Sequence, residues 1–151
     1  MSSELEDFIR SEEGRGYTSG WLRVDQDLID RFADTTRDWM FLHVDPEKAA
    51  QTEFGGTIAH GFLLLSLLAP LRGETPRPRL PGMRTGVNYG FDKVRFISPV
   101  RSGSRIRAHF TVTELRRDGP RQVREAMDVT LEVEGVERPA VVARWLTMYL
   151  L

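Results

Sequence analysis

Two short stretches hold residue types suited to proton transfer. In Asp38-Trp39-Met40-Phe41-Leu42-His43-Val44-Asp45-Pro46, a carboxylate and an imidazole stand five residues apart among large apolar side chains. Loops are ordinarily polar, so this crowd of Trp, Met, Phe and Leu implies a covered pocket or a partner surface. There an aspartate and a histidine could move protons at neutral pH. The plainer alternative makes both of them surface or capping groups. Asp45, followed by Pro46, reads as a helix cap and is assigned no chemistry. The second stretch is Phe54-Gly55-Gly56-Thr57-Ile58-Ala59-His60-Gly61. Glycine lets a backbone approach a ligand closely. Near the start of a helix, Gly61 could offer its amide to an oxygen that gains charge, with the helix dipole assisting. Alternatively, Gly61 only permits tight packing of a helix on a sheet. His60 reads as a hydrogen-bonded core or loop-fixing histidine rather than a catalytic one.

Composition removes other chemistries. The chain has no cysteine, which excludes thiol nucleophiles, disulfides, iron–sulfur clusters and cysteine zinc sites. A metal site made of histidine alone would need His43, His60 and His109 to converge, so no metal or other cofactor is expected. The 21 basic and 22 acidic side chains nearly cancel, which argues against a sequence-independent nucleic-acid binder. At 151 residues the chain suits one domain with its own core. Residues 1–15 are charged and lack an apolar centre, unlike a signal peptide. The longest apolar run, residues 62–71, is broken by Ser66 and Pro70 and falls short of the roughly 20 residues needed to span a bilayer. The expected setting is cytoplasmic, away from membranes.

The elements that must position these residues follow from periodicity. Ser2 or Ser3 can cap a helix that ends at Gly14. Residues 21–24 read as a short strand. Asp25 can cap a helix with Leu28, Ile29, Phe32 and Ala33 on one face. Residues 36–44 read as a loop, and Asp45-Pro46-Glu47 starts a short helix that Phe54-Gly55-Gly56 breaks. Residues 57–71 read as a helix that is apolar nearly all round, hence buried on most sides, and stopped by Pro70 and Gly73. After a proline-rich loop the period changes to two. Residues 85–97 form a strand, and Ile106, Ala108, Phe110 and Val112 alternate with polar neighbours. Val123, Met127, Val129, Leu131 and Val133 share a face of the next strand. Residues 140–150 are apolar on both faces and belong centrally in a sheet or at an interface. Segregated helices and strands indicate an α+β fold, with an antiparallel sheet curled around one helix.

Asp38-x4-His43-Val-Asp-Pro, followed by Phe54-Gly-Gly-Thr-Ile-Ala-His60-Gly61-Phe-Leu-Leu-Leu-Ser-Leu, resembles the hydratase motif of the MaoC-like dehydratases, the (R)-specific enoyl-CoA hydratases. Phe41-Leu-His-Val-Asp and the later Asn88-Tyr-Gly-Phe-Asp-Lys-Val-Arg-Phe-Ile-Ser-Pro-Val are most similar to the branch of nodulation-protein-N-like members. The resemblance covers residues 21–104 by motif and the remainder by strand order.

That resemblance implies a hot-dog fold in which protomers pair edge to edge as a homodimer. It implies water addition to a trans-2-enoyl thioester of CoA or an acyl-carrier protein, with Asp38 and His43 as the acid/base pair. It matches the Gly61 amide to the donor for the thioester carbonyl and Asn88 to a polar position near the site, and it sets Phe41 and His60 among the substrate-binding residues. One departure stands out. Many hydratases have Asn-Pro where this chain has Met40-Phe41, so the polar side chain that would order the loop is missing. Two other classes share the fold. A hot-dog thioesterase places a carboxylate on the central helix, but residues 57–71 hold no Asp or Glu. A non-catalytic acyl-thioester-binding subunit would have lost the pair, which here is intact.

Overall fold

The computed structural model describes residues 2–151, with side chains from Glu4 onward. The helical half comprises α1 (Ser2–Glu12), α2 (Gln26–Thr36), α3 (Phe41–Val44), α4 (Pro46–Ala50) and α5 (Gly61–Gly73). The short strands β1 (Gly16–Thr18) and β2 (Leu22–Val24) lie between α1 and α2. Four long strands follow: β3 (Thr85–Phe96), β4 (Ser104–Arg117), β5 (Gln122–Val133) and β6 (Val141–Leu150). This is the α+β order expected. The cap assigned to Ser2 or Ser3 concerns side chains outside the described residues.

All strands form one antiparallel sheet in the order β1-β4-β5-β6-β3, with β2 also paired to β4. The alternation read in β4 places Ile106, Ala108, Phe110 and Val112 in the core. A register shift between Val112 and Glu114 then hands the buried position to Leu115. An inserted residue moves the following side chains to the other face, which is why simple alternation stops there. β6 sits between β5 and β3 and is buried or half-buried throughout, as befits a central strand. β3 is the long edge of the sheet opposite β1 and β2, exposed along nearly its whole length.

α5 lies on the apolar face of the sheet, the hot-dog arrangement. Leu63, Leu64, Leu68 and Leu71 join one core with Phe110, Met127 and Leu131. Each such side chain contributes roughly 1.5–3 kcal/mol by leaving water. The helix differs from its sequence reading in three ways. It begins at Gly61 rather than at residue 57, because the preceding segment is held extended by a bridge between Ile58 and Arg101. Ala59 N–H donates to Val100 O at 2.8 Å, and Ser102 N–H donates to Thr57 O at 2.9 Å. Pro70 lies inside the helix rather than ending it. The carbonyl it leaves without a donor belongs to exposed Ser66, which limits the cost. Nor is the helix buried all round: Phe62, Ser66, Ala69 and Pro70 form an exposed stripe at i, i+4, i+7 and i+8.

The caps read from the sequence are present. Asp25 Oδ1 accepts from Leu28 N–H at 2.9 Å, and Asp45 Oδ1 accepts from Lys48 N–H at 3.0 Å. The 36–44 segment is more ordered than a loop. α2 ends on Arg37 in the left-handed region, φ 62°, and α3 forms a single turn after it. That conformation costs an ordinary residue about 1–2 kcal/mol. Here it turns the chain sharply, so that Asp38 leaves the end of α2 with its N–H bonded to Ala33 O at 3.1 Å. Among the described residues, no helix is long and apolar enough to cross a membrane.

Candidate active site

Asp38, His43, His60 and Gly61 line one cleft of about 440 Å³. Its other walls are mainly apolar, from Phe54, Ile58, Phe62 and Phe96, with Ser98 adding a hydroxyl. One polar atom each from Asp38, His43 and His60 lies within 4.8 Å of the others. Asp38 is exposed, whereas His43 and His60 are buried.

The hydrogen bonds assign both tautomers. His43 Nδ1 lies 2.7 Å from Ile58 O, and His60 Nε2 lies 3.0 Å from Asp38 O. A carbonyl only accepts, so each of these nitrogens carries the hydrogen. The lone pair of His43 is therefore on Nε2. The two rings stack with centroids 3.8 Å apart, and the Phe32 ring stands 4.9 Å from His60. Burial pushes the His60 imidazole below the usual histidine range. The Asp38 carbonyl opposes that shift, and the neighbouring His43 adds to it.

Gly61 is the first residue of α5. The first amides of a helix have no acceptor within it, so this end of α5 presents N–H groups and a positive dipole end to the cleft. A Cβ on Gly61 would lie 2.8 Å from the Phe96 ring. The close approach requires glycine, and Gly61→Ala must push the ring into the cleft or outward. Phe96 is half-exposed, so the fold is expected to tolerate the substitution while activity falls several-fold. Removing the ring in Gly61→Ala/Phe96→Ala is expected to restore part of that loss. Equal activity of Gly61→Ala and wild type in a thioester hydration assay would contradict this reading.

Two residues assigned to the site by sequence are not among those lining the cleft. Phe41 opens α3, half-buried, with Lys48 Nζ 4.6 Å above its ring. Asn88 lines a separate cavity of about 660 Å³ at the other end of α5, where its Oδ1 accepts from Trp145 Nε1 at 3.2 Å. Gly61 and Gly73 are the ends of a 13-residue helix, so the two cavities lie on the order of 18 Å apart at 1.5 Å per residue. The larger cavity is walled by a cluster of paired charges in which, among the described residues, Arg72 Nε alone of the cluster's buried nitrogens lacks a partner. Glu125, fully buried, binds Arg72 through Oε2 and Arg77 through Oε1, and also accepts from Tyr149 Oη at 2.7 Å.

The structure adds Gln26 and Phe96 to the residues that shape the site. The Gln26 amide donates to His43 O at 2.7 Å and accepts from the Thr57 hydroxyl, tying α3 to the extended segment that precedes α5. Nothing local in the sequence marks Gln26, which reads as an ordinary first-turn helix residue. His109 lies apart on β4, bonded to Thr18 and Glu132.

The MaoC like domain family matches residues 9–135. Nodulation protein N of Rhizobium leguminosarum bv. viciae is 47% identical over 131 residues, covering 86% of this chain and 81% of that protein. The 3-hydroxyacyl-thioester dehydratase Z of Mycobacterium tuberculosis is 41% identical, covering 87% and 85%. Among solved structures, the (R)-hydratase from A. caviae involved in PHA biosynthesis superposes with a TM-score of 0.74 at 30% identity, over 90% of this chain and 95% of that one.

Proposed function

Because the chain belongs to the MaoC-like domain family, we propose that it is a hydro-lyase that adds water reversibly to a trans-2-enoyl thioester of CoA or an acyl-carrier protein, giving the (R)-3-hydroxyacyl thioester. The observation that carries this reading is the meeting of Asp38 and His43 beside the first amides of α5 in one apolar cleft. Conjugate hydration needs a base for water, an acid for C2 and a donor for the enolate oxygen, and these groups supply all three. The water is held between the Asp38 carboxylate and the lone pair on His43 Nε2. Its oxygen bonds to C3 while one of its protons passes to the pair. The π electrons move toward the thioester oxygen, which the Gly61 N–H and the helix end stabilise. The pair then returns a proton to C2, so one water is consumed and no other reactant. A backbone donor of this kind contributes roughly 3–4 kcal/mol.

The test is mixing with crotonyl-CoA. Loss of the enone absorbance with an (R)-3-hydroxy product is expected. An (S) product, or release of free thiol without hydration, would overturn the proposal. Activity is expected to survive chelation, since Asp38 and His43 act on protons and His60 is committed to Asp38 O. Loss on chelation that a divalent ion restores would transfer those three groups to a metal.

The unit of function in this reading is a homodimer. The surface for it is β3, not the final strand, which the sheet encloses between β5 and β3. Val87, Tyr89, Phe91 and Phe96 are exposed along β3, and Phe62 of α5 beside them is 71% exposed. A long apolar edge left open invites pairing, and a two-fold pairing of β3 with its copy would close it. Light scattering at micromolar concentration is expected to return twice the 17.3 kDa chain mass or a multiple of that pair. A monomer would remove this part of the proposal.

A further inference from the structure

We infer that His60 is a positioning residue that locks Asp38, His43 and the first turn of α5 into one geometry; the inference rests on the hydratase reading and specifies how its site is held. His60 touches all three components at once. Its Nε2–H donates to the Asp38 main-chain carbonyl, its ring stacks 3.8 Å from that of His43, and its own carbonyl accepts Leu64 N–H at 3.2 Å to open α5.

The Asp38 side chain needs such a hold. Among the described residues its carboxylate makes only a long 3.4 Å contact, with Met40 N–H, and the residue is exposed. The place of the carboxylate is therefore set by the main chain. That main chain is tied from one side by Asp38 N–H to Ala33 O and from the other by His60 to Asp38 O. His43 is likewise fixed in two ways. The bond from Nδ1 to Ile58 O sets the direction of the ring, and the stack on His60 sets its plane. A phenylalanine at position 60 would supply the stack without the donor. A glutamine would supply the donor without the ring. Imidazole supplies both, and at 3% exposure it is held rigidly enough to transmit them.

The competing account is a core histidine that contributes only to folding. His60→Phe and His60→Gln, each made in wild type and in Asp38→Asn, separate the two accounts. Circular dichroism and thermal melting establish the folded fraction, and steady-state kinetics with crotonyl-CoA follow. In the wild-type background His60→Phe is expected to lower kcat about 10–100-fold, the scale of an ångström-sized misplacement. KM should stay within a few-fold. His60→Gln should retain more kcat than His60→Phe, because it restores the bond to Asp38 O. In Asp38→Asn, His60→Phe should cost clearly less kcat than in wild type, since the part of its effect carried by the Asp38 carboxylate is already lost. If His60→Phe does not fold, His60→Gln and its Asp38→Asn double variant carry the same comparison. Unchanged kcat, the same fold loss in both backgrounds, or a loss matching the unfolded fraction would overturn the inference. An inactive wild type would instead overturn the hydratase reading, and the inference with it.

Discussion

His43→Ala is expected to cut kcat for crotonyl-CoA hydration by roughly 10²–10⁴-fold, the range for loss of a general acid or base. The Ile58 carbonyl holds Nδ1–H and so leaves Nε2 as the only nitrogen of that ring with a lone pair to offer. His60 is no substitute: its Nε2–H is committed to Asp38 O, and its lone pair sits on Nδ1, which is buried away from the cleft's solvent. Asp38→Asn should do comparable damage because it keeps the shape and removes the negative charge. The double variant should be little worse than either single one, as both groups act on one water. His109→Ala is the control. That ring is bonded to Thr18 Oγ1 at 3.1 Å and Glu132 Oε2 at 2.6 Å on β4, and it is absent from the cleft. Its loss should leave turnover within a few-fold. Comparable losses from His43→Ala and His109→Ala, with both proteins folded by circular dichroism, would refute the assignment of the pair.

Glu125→Leu is expected to destabilise the fold by about 3–5 kcal/mol, the cost of removing one partner from a buried ionic cluster. Glu125 is fully buried and holds the guanidinium groups of Arg72 and Arg77, whose side chains are 17% and 16% exposed. Tyr149 completes the cluster as a donor. Burial, with the Glu125 charge adding to it, pushes its phenol up to about 12, so it keeps its proton at any working pH. Removing the carboxylate leaves two cations in a poorly solvated place, with the Tyr149 hydroxyl, Thr147, Met127 and more distant Glu12 as their remaining polar neighbours. The cluster clamps the C-terminal end of α5 to β5 and β6, far from the Asp38–His43 cleft. Urea titration should therefore show a lower midpoint, while kcat per folded molecule stays near wild type. A midpoint shift worth less than about 1 kcal/mol would show that the arginines relax to solvent on their own.

What the amino-acid sequence determined by itself is whatever depends on near neighbours along the chain. Period-two alternation in residues 106–112 and 123–133 specified the core face of two strands. Asp25 and Asp45 specified two helix starts, because a cap bonds an amide only three residues ahead. The order Asp38, His43, His60, Gly61 was legible as a hydratase motif, and the α+β arrangement as a change of period. What only the tertiary structure decided depends on segments that meet across the fold. α5 starts at Gly61 because residues 57–59 pair with 100–102, and no local signal encodes that partner. Glu125 occupies the apolar register of β5, between Val123 and Met127, and is tolerated there because Arg72 and Arg77 arrive from the end of α5 and the loop after it. Asn88 falls in the other cavity because β3 runs alongside α5 and reaches the site only at its Phe96 end. Gln26 and His60 gain their places through bonds to His43 O and Asp38 O, 17 and 22 residues away. Short-range hydrogen bonding and side-chain period are properties of consecutive residues, whereas these contacts exist only once the sheet has brought distant segments together.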